Sequence, residues 1–163
     1  EPDLVARCVE AMANASSLPV TVKHRIGIDD LDSDERLTAF VDRVASAGAS
    51  RFSVHARKAW LEGLDPKQNR KIPPLQHDRV QALKLRRPHL TIELNGGLES
   101  PKDCLKALVH CDGAMVGRAA YAHPLRWASM DNLVFGESPR TVLASDVVTG
   151  LIPHASAHLS QGG

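Results

Sequence analysis

Four short runs with two-residue alternation recur along the chain, and each is separated from the next by an apolar pattern of helical period. This alternation constrains the fold more than any other feature. Strands separated by helices pair in parallel through crossover connections, which makes an α/β architecture. The strand runs are Val20 to Ile26, Arg51 to Ala56, Leu90 to Leu94 and Gly113 to Val116. Leu4, Val5, Cys8, Val9 and Met12 mark a helix before the first strand, ended by Ser16-Ser17-Leu18-Pro19. Ser33 caps a second helix carrying Leu37, Phe40, Val41, Val44 and Ala45, with Gly48 as its stop. Val80, Leu83 and Leu85 mark a third, closed by Pro88. Ser100-Pro101-Lys102-Asp103 opens a fourth, with Leu105, Leu108 and Val109 as its apolar positions. Leu125 to Leu133 reads as helix, and Gly136-Glu137-Ser138-Pro139 as a linker into an amphipathic stretch from Thr141 to Leu159.

Two parallel architectures compete: an open doubly wound sheet, or part of a (β/α)8 TIM barrel. Strands covered by helices on both faces read as continuous apolar runs. Here one face is polar. Thr21, Lys23 and Arg25 oppose Val20, Val22 and His24; Ser53, His55 and Arg57 oppose Phe52, Val54 and Ala56; Thr91, Glu93 and Asn95 oppose Ile92 and Leu94. A barrel interior that opens into a site at the C-terminal ends of its strands has this pattern. A whole barrel needs eight strands and about 250 residues, so four strands in 163 residues are half of one.

Three sets of residues could carry chemistry. Lys23, His55 and Asn95 stand near the C-terminal ends of successive strands on the polar face, where a cation, an imidazole and an amide would meet an anionic or polar ligand. Asn95-Gly96-Gly97 and Val116-Gly117-Arg118 each follow a strand. Glycines let backbone N–H groups approach a phosphate, and Arg118 adds a fixed cation. The connection from Arg57 to Pro74 is long for a strand-to-helix loop, which is a mark of functional loops. It holds Arg57, Lys58, Lys67, Arg70 and Lys71 against Glu62 and Asp65, a net charge of +3 that suits a polyanion.

Charge and composition exclude other classes. The formal net charge is only +1, so the chain is not basic over its whole surface. No apolar run approaches the roughly 18 residues that span a bilayer, and no membrane association is expected. Aromatic residues make up 4%, leaving aliphatic side chains and Ala to fill the core. Cys8, Cys104 and Cys111 are odd in number and form no CxxC pair; they are expected to be buried or half-buried thiols in a reducing, cytoplasmic setting. His154 and His158 have the spacing of a helical metal pair without a nearby third ligand, so no metal site is expected. The ends, Glu1-Pro2-Asp3 and Gln161-Gly162-Gly163, suggest part of a larger protein.

The segments Val22-Lys23-His24-Arg25-Ile26-Gly27, Val54-His55-Ala56-Arg57-Lys58-Ala59-Trp60, Asn95-Gly96-Gly97 and Val116-Gly117-Arg118-Ala119-Ala120-Tyr121 resemble the tRNA-dihydrouridine synthases of the A-type subfamily. The later loop residues Asn69-Arg70 and Ile72-Pro73-Pro74-Leu75 extend the likeness. That family uses FMN, folds as a TIM barrel followed by a helical domain, and reduces uridine to 5,6-dihydrouridine in the tRNA D-loop with NADPH as electron donor. The resemblance implies that residues 1–136 are strands five to eight of the FMN-binding barrel, and that residues 137–163 begin a helical, tRNA-binding domain. It places Lys23 and His55 at the flavin. Asn95, Gly96, Gly97, Gly117 and Arg118 would hold the FMN phosphate. Lys67, Arg70, Arg25 and Arg57 would face tRNA or its uracil. No protein partner is implied.

One departure bears on activity. The family's proton-donating Cys lies in an Asn-x-Gly-Cys-Pro motif, which this sequence does not contain. By the resemblance it belongs upstream, so no residue here is assigned as catalytic. The isolated chain is expected to be inactive and to retain FMN weakly or not at all. Two other readings fit the residues: a different FMN- or phosphate-binding barrel enzyme, including an aldolase with Lys23 as Schiff base, and a non-catalytic fragment that binds tRNA through Lys67, Arg70 and Lys71.

Overall fold

A computed structural model describes residues 1–161, which divide into two compact units. The first joins Glu1–Leu98 with Lys106–Val116; the second joins Glu99–Leu105 with the chain from Gly117 onward. In order, the elements of the first unit are α1 (Pro2–Ala15), β1 (Thr21–Arg25), α2 (Asp34–Ala45), β2 (Arg51–His55), a 3-10 turn (Gln68–Arg70), α3 (His77–Arg86) and β3 (Thr91–Asn95). Helix α4 (Pro101–Leu108) then leads to β4 (Gly113–Met115).

The four strands form one parallel sheet in the order β1-β2-β3-β4. This is the α/β arrangement expected from the alternation, and it is consistent with part of a TIM-barrel-like domain. One face of the sheet is apolar. Phe52, Val54, Ile92 and Leu94 are buried there. Leu37, Val41 and Val44 recur every three or four residues along α2 and are buried with them, as are Val80 and Leu83 of α3 and Ala6 and Val9 of α1. Ser33 caps α2 as expected, its Oγ accepting from the Arg36 N–H at 3.2 Å. His24 also faces this side, its ring centroid 4.9 Å from that of Phe40 and 6.0 Å from that of Phe52. Its Nδ1–H donates to the Arg25 carbonyl at 2.8 Å, and burial holds its pKa below the ordinary histidine value.

The second unit contains α5 (Arg118–Ala122), a 3-10 turn (Pro124–Trp127), α6 (Met130–Phe135) and α7 (Ala144–Ser160). Ser100 and Asp103 form a reciprocal cap. Ser100 Oγ donates to Asp103 Oδ2 at 2.7 Å, and the Asp103 N–H donates to Ser100 Oγ at 3.3 Å. Among the described residues, no helix is long and apolar enough to cross a membrane.

Several expectations need correction. The continuous helix from Leu125 to Leu133 is instead a 3-10 turn (Pro124–Trp127) followed by α6 from Met130; Pro124, which has no N–H, separates the turn from α5. Leu85 is exposed: two residues beyond Leu83, it points away from the buried stripe. Val109 follows the end of α4 and is exposed as well. Cys104 and Cys111 are buried, but Cys8 lies on the outer side of α1. The strands begin or end one residue from their expected limits, and β3 runs on through Asn95.

Candidate active site

The parallel register sets the polar face in rows. Arg25 is level with His55, His55 with Asn95, and Asn95 with Met115. One pleat back, Lys23 is level with Ser53, and Ser53 with Glu93. The sheet therefore brings His55 and Asn95 side by side, as expected, and puts Arg25 rather than Lys23 in line with them. Lys23 stands exposed in the row behind.

His55 is the electrostatic centre of this face. Burial comes first, and the charges of Arg25, Lys23 and Arg57 follow; together they push its pKa down to about 4, against a smaller opposing contact with the Arg57 backbone. The ring is therefore neutral near pH 7. Its Nδ1 is buried without a hydrogen-bond partner among the described residues. Burial also lowers the pKa of Arg25, as do the charges of Arg57 and Arg70. Cations that depress one another around a neutral imidazole make a site whose electrostatic deficit an anion would relieve.

The turn after β3 closes against the same imidazole. Gly96 has φ +104°, and a Cβ there would lie 3.1 Å from His55 Nε2; Gly97 has φ +70°, and a Cβ there would meet Leu75 Cδ1. The positive φ favours glycine at both positions, and an added Cβ would also crowd the His55 ring and the Leu75 side chain. The Asn95 amide donates to the Met115 carbonyl at 2.7 Å, fastening β3 to β4 beneath the turn.

The long connection is folded around Asn69, which is nearly buried. Asn69 Oδ1 accepts from the Trp60 N–H at 2.7 Å, and its Nδ2 donates to the Trp60 carbonyl at 2.6 Å and the Leu64 carbonyl at 3.2 Å. The Arg25 guanidinium reaches the loop from the sheet, donating to the carbonyls of Lys58 at 2.9 Å and Asn69 at 3.0 Å. Arg57 Nη1 donates to the Pro73 carbonyl. Lys58 pairs with Asp32 at 2.8 Å, so one of the loop's five cations is locally neutralised. Lys67, Arg70 and Lys71 are exposed.

A family profile described as "Dihydrouridine synthase (Dus)" matches residues 1–161. The chain belongs to this family. It is 48% identical over its whole length to a tRNA-dihydrouridine(20/20a) synthase of Shewanella oneidensis, of which it covers 49%. It is 48% identical over 99% of its length to the protein of that name from Synechocystis, covering 48% of it. The corresponding Escherichia coli K12 protein is 49% identical over 98% of the chain, which covers 46% of it. The chain spans about half the length of these curated relatives.

Within this dihydrouridine synthase chain, the sheet gathers Lys23, Arg25, His55, Asn95, Gly96 and Gly97, with Arg57 and Arg70 bearing on the same charges. Gly117 and Arg118 belong to the second unit, where they open α5 and are exposed. Lys67 is exposed in the loop, and the charges that lower the pKa of His55 and Arg25 are those of Arg25, Lys23, Arg57 and Arg70. The exposure of Lys23 also removes the desolvation that a Schiff-base lysine needs. Sequence reasoning missed Asn69 as the residue that orders the loop. Its signal was an Asn inside a long connection, a residue type whose side chain bonds neighbouring backbone.

Proposed function

We propose that the protein carrying this chain reduces the C5–C6 double bond of a uridine in the tRNA D-loop, with FMN bound at the C-terminal ends of β1–β3 and NADPH as electron donor. In this reading the sheet is strands five to eight of a TIM barrel. In the same reading a helical domain begins at residue 137, within the second unit. The carrying observation is the neutral His55, with an unpartnered Nδ1, set among Arg25, Lys23 and Arg57 and against a turn of two glycines with positive φ.

These residues fit an anionic flavin nucleotide. Asn95, Gly96 and Gly97 supply a backbone cradle for its phosphate, and Gly117 and Arg118 are the second unit's candidates for the same kind of contact. Lys23, exposed one row behind His55, is free of the packing that would fix it and can hold positive charge at the flavin's pyrimidine edge. His55 presents a neutral ring. When bound, FMN supplies the hydride chemistry that the side chains of this sequence lack.

The remaining work of the chain is binding and orientation. Arg25 and Arg57 hold the 57–74 loop through its carbonyls and extend positive potential toward the uracil and nearby phosphates. Lys67 and Arg70 offer charge to the tRNA backbone. No residue here is assigned as proton donor to uracil C5, since Asn-x-Gly-Cys-Pro is absent from the sequence.

A hybrid tests the cofactor reading: this chain replaces the matching half of the E. coli relative. The purified hybrid should carry flavin that mass spectrometry identifies as FMN, bleached by NADPH. A well-folded hybrid without flavin would overturn the reading.

A further inference from the structure

His77 is the first residue of α3, and nothing in the resemblance assigns it a role. Its Nε2 lies 2.8 Å from the Gly96 carbonyl. A carbonyl only accepts, so Nε2 carries the proton. The start of α3 is itself anchored, because the Gln76 N–H donates to the Ala56 carbonyl at 2.8 Å. The Gly96 carbonyl is therefore held by a side chain tied to the end of β2.

That bond has a geometric consequence. The Gly96 carbonyl and the Gly97 N–H share one planar trans peptide and point in opposite directions. Two glycines in succession with positive φ could otherwise let this peptide rotate, since glycine resists few conformations. Packing limits the turn on two other sides: the His55 ring beneath Gly96 and Leu75 beside Gly97. Among the described residues, the Gly97 N–H has no backbone or side-chain acceptor.

We infer that His77 is a positioning residue, which holds the Gly96–Gly97 peptide so that the Gly97 N–H stays aimed at a bound phosphate. The inference rests on the reading of Asn95-Gly96-Gly97 as an anion cradle.

The test uses the full chain and inorganic phosphate, followed at the Gly96 and Gly97 amide signals by NMR. His77→Phe keeps a ring without a donor at that place; His77→Gln restores an N–H at similar reach. His77→Phe should weaken phosphate binding about fivefold, as expected for one neutral hydrogen bond, and should shift the Gly96 carbonyl resonance in the free chain. His77→Gln should stay within about twofold of the parent chain by the same measure. Thermal unfolding of each variant reports folding separately. Phosphate shifts in the parent that His77→Phe leaves unchanged in affinity would overturn the role of His77 alone. Absence of phosphate shifts at Gly96 and Gly97 in the parent would overturn the cradle, and the inference with it. A loss that His77→Gln does not restore would also contradict the inference.

Discussion

The Arg25 guanidinium donates to the Asn69 backbone carbonyl at 3.0 Å, linking the end of β1 to a loop residue 44 positions later. Asn69 in turn closes the segment from Trp60 to Leu64 on itself. One strand residue and one amide thus carry the order of a long basic connection onto the polar face of the sheet.

Asn69→Ala should release that order. It removes the acceptor for the Trp60 N–H and the donor for two well-placed carbonyls, in a site where little water can substitute. A loss of about 1–3 kcal/mol is expected, confined to the loop. Hydrogen exchange should rise from Ala59 to Arg70 while β2 and β3 keep their protection. Asn69→Asp should restore only the Trp60 N–H bond and fall between the two.

The pH dependence follows from His55. Its folded pKa, about 4, lies below that of an unfolded histidine. As pH falls below about 6.5, the unfolded chain takes up the proton first, so stability is lost down to the folded pKa and then levels. Buried His24 acts in the same direction. NMR titration should show His55 still neutral at pH 5.5. Arg25→Gln should raise its pKa but leave it below the ordinary value, because burial outweighs the arginine.

At Gly97, an added methyl would face both a left-handed backbone and the Leu75 side chain. Gly97→Ala should lower stability by about 1–2 kcal/mol. Adding Leu75→Ala should relieve the contact but not the φ cost, so the double variant recovers only part of the loss. Denaturant unfolding of the parent and the three variants separates the two contributions.

The positive loop should bind tRNA by charge. Lys67→Ala and Arg70→Ala are each expected to weaken tRNA binding across sequences and to reduce the salt slope by about one where the side chain meets a phosphate. Lys58→Ala, already paired with Asp32, should alter the slope less. Equal slopes for all three variants would place the tRNA contact elsewhere.

Much of this was legible in the residues. The alternation of β-type runs with helical patterns gave the parallel sheet, and alternation along each strand put His55 and Asn95 on one side. The register was not legible, because a two-residue period fixes the face but not the row; that Arg25 is level with His55, with Lys23 one row behind, had to come from the structure. Asn69 and His77 were hidden for a different reason. Their partners are backbone carbonyls and N–H groups, which every residue carries and no pattern distinguishes. Leu85 and Val109 misled because apolar residues at helix ends look like core until the angular position is known.

Dihydrouridine in tRNA tests the central claim most directly. In cells whose own (20/20a) enzyme is deleted, the hybrid of this chain with the other half of the E. coli relative should restore dihydrouridine at that site, read by mass spectrometry of digested tRNA. The isolated chain should not, and the hybrid with Lys23→Ala should lose most of the signal. A folded, expressed hybrid that leaves the uridine unreduced would contradict the account.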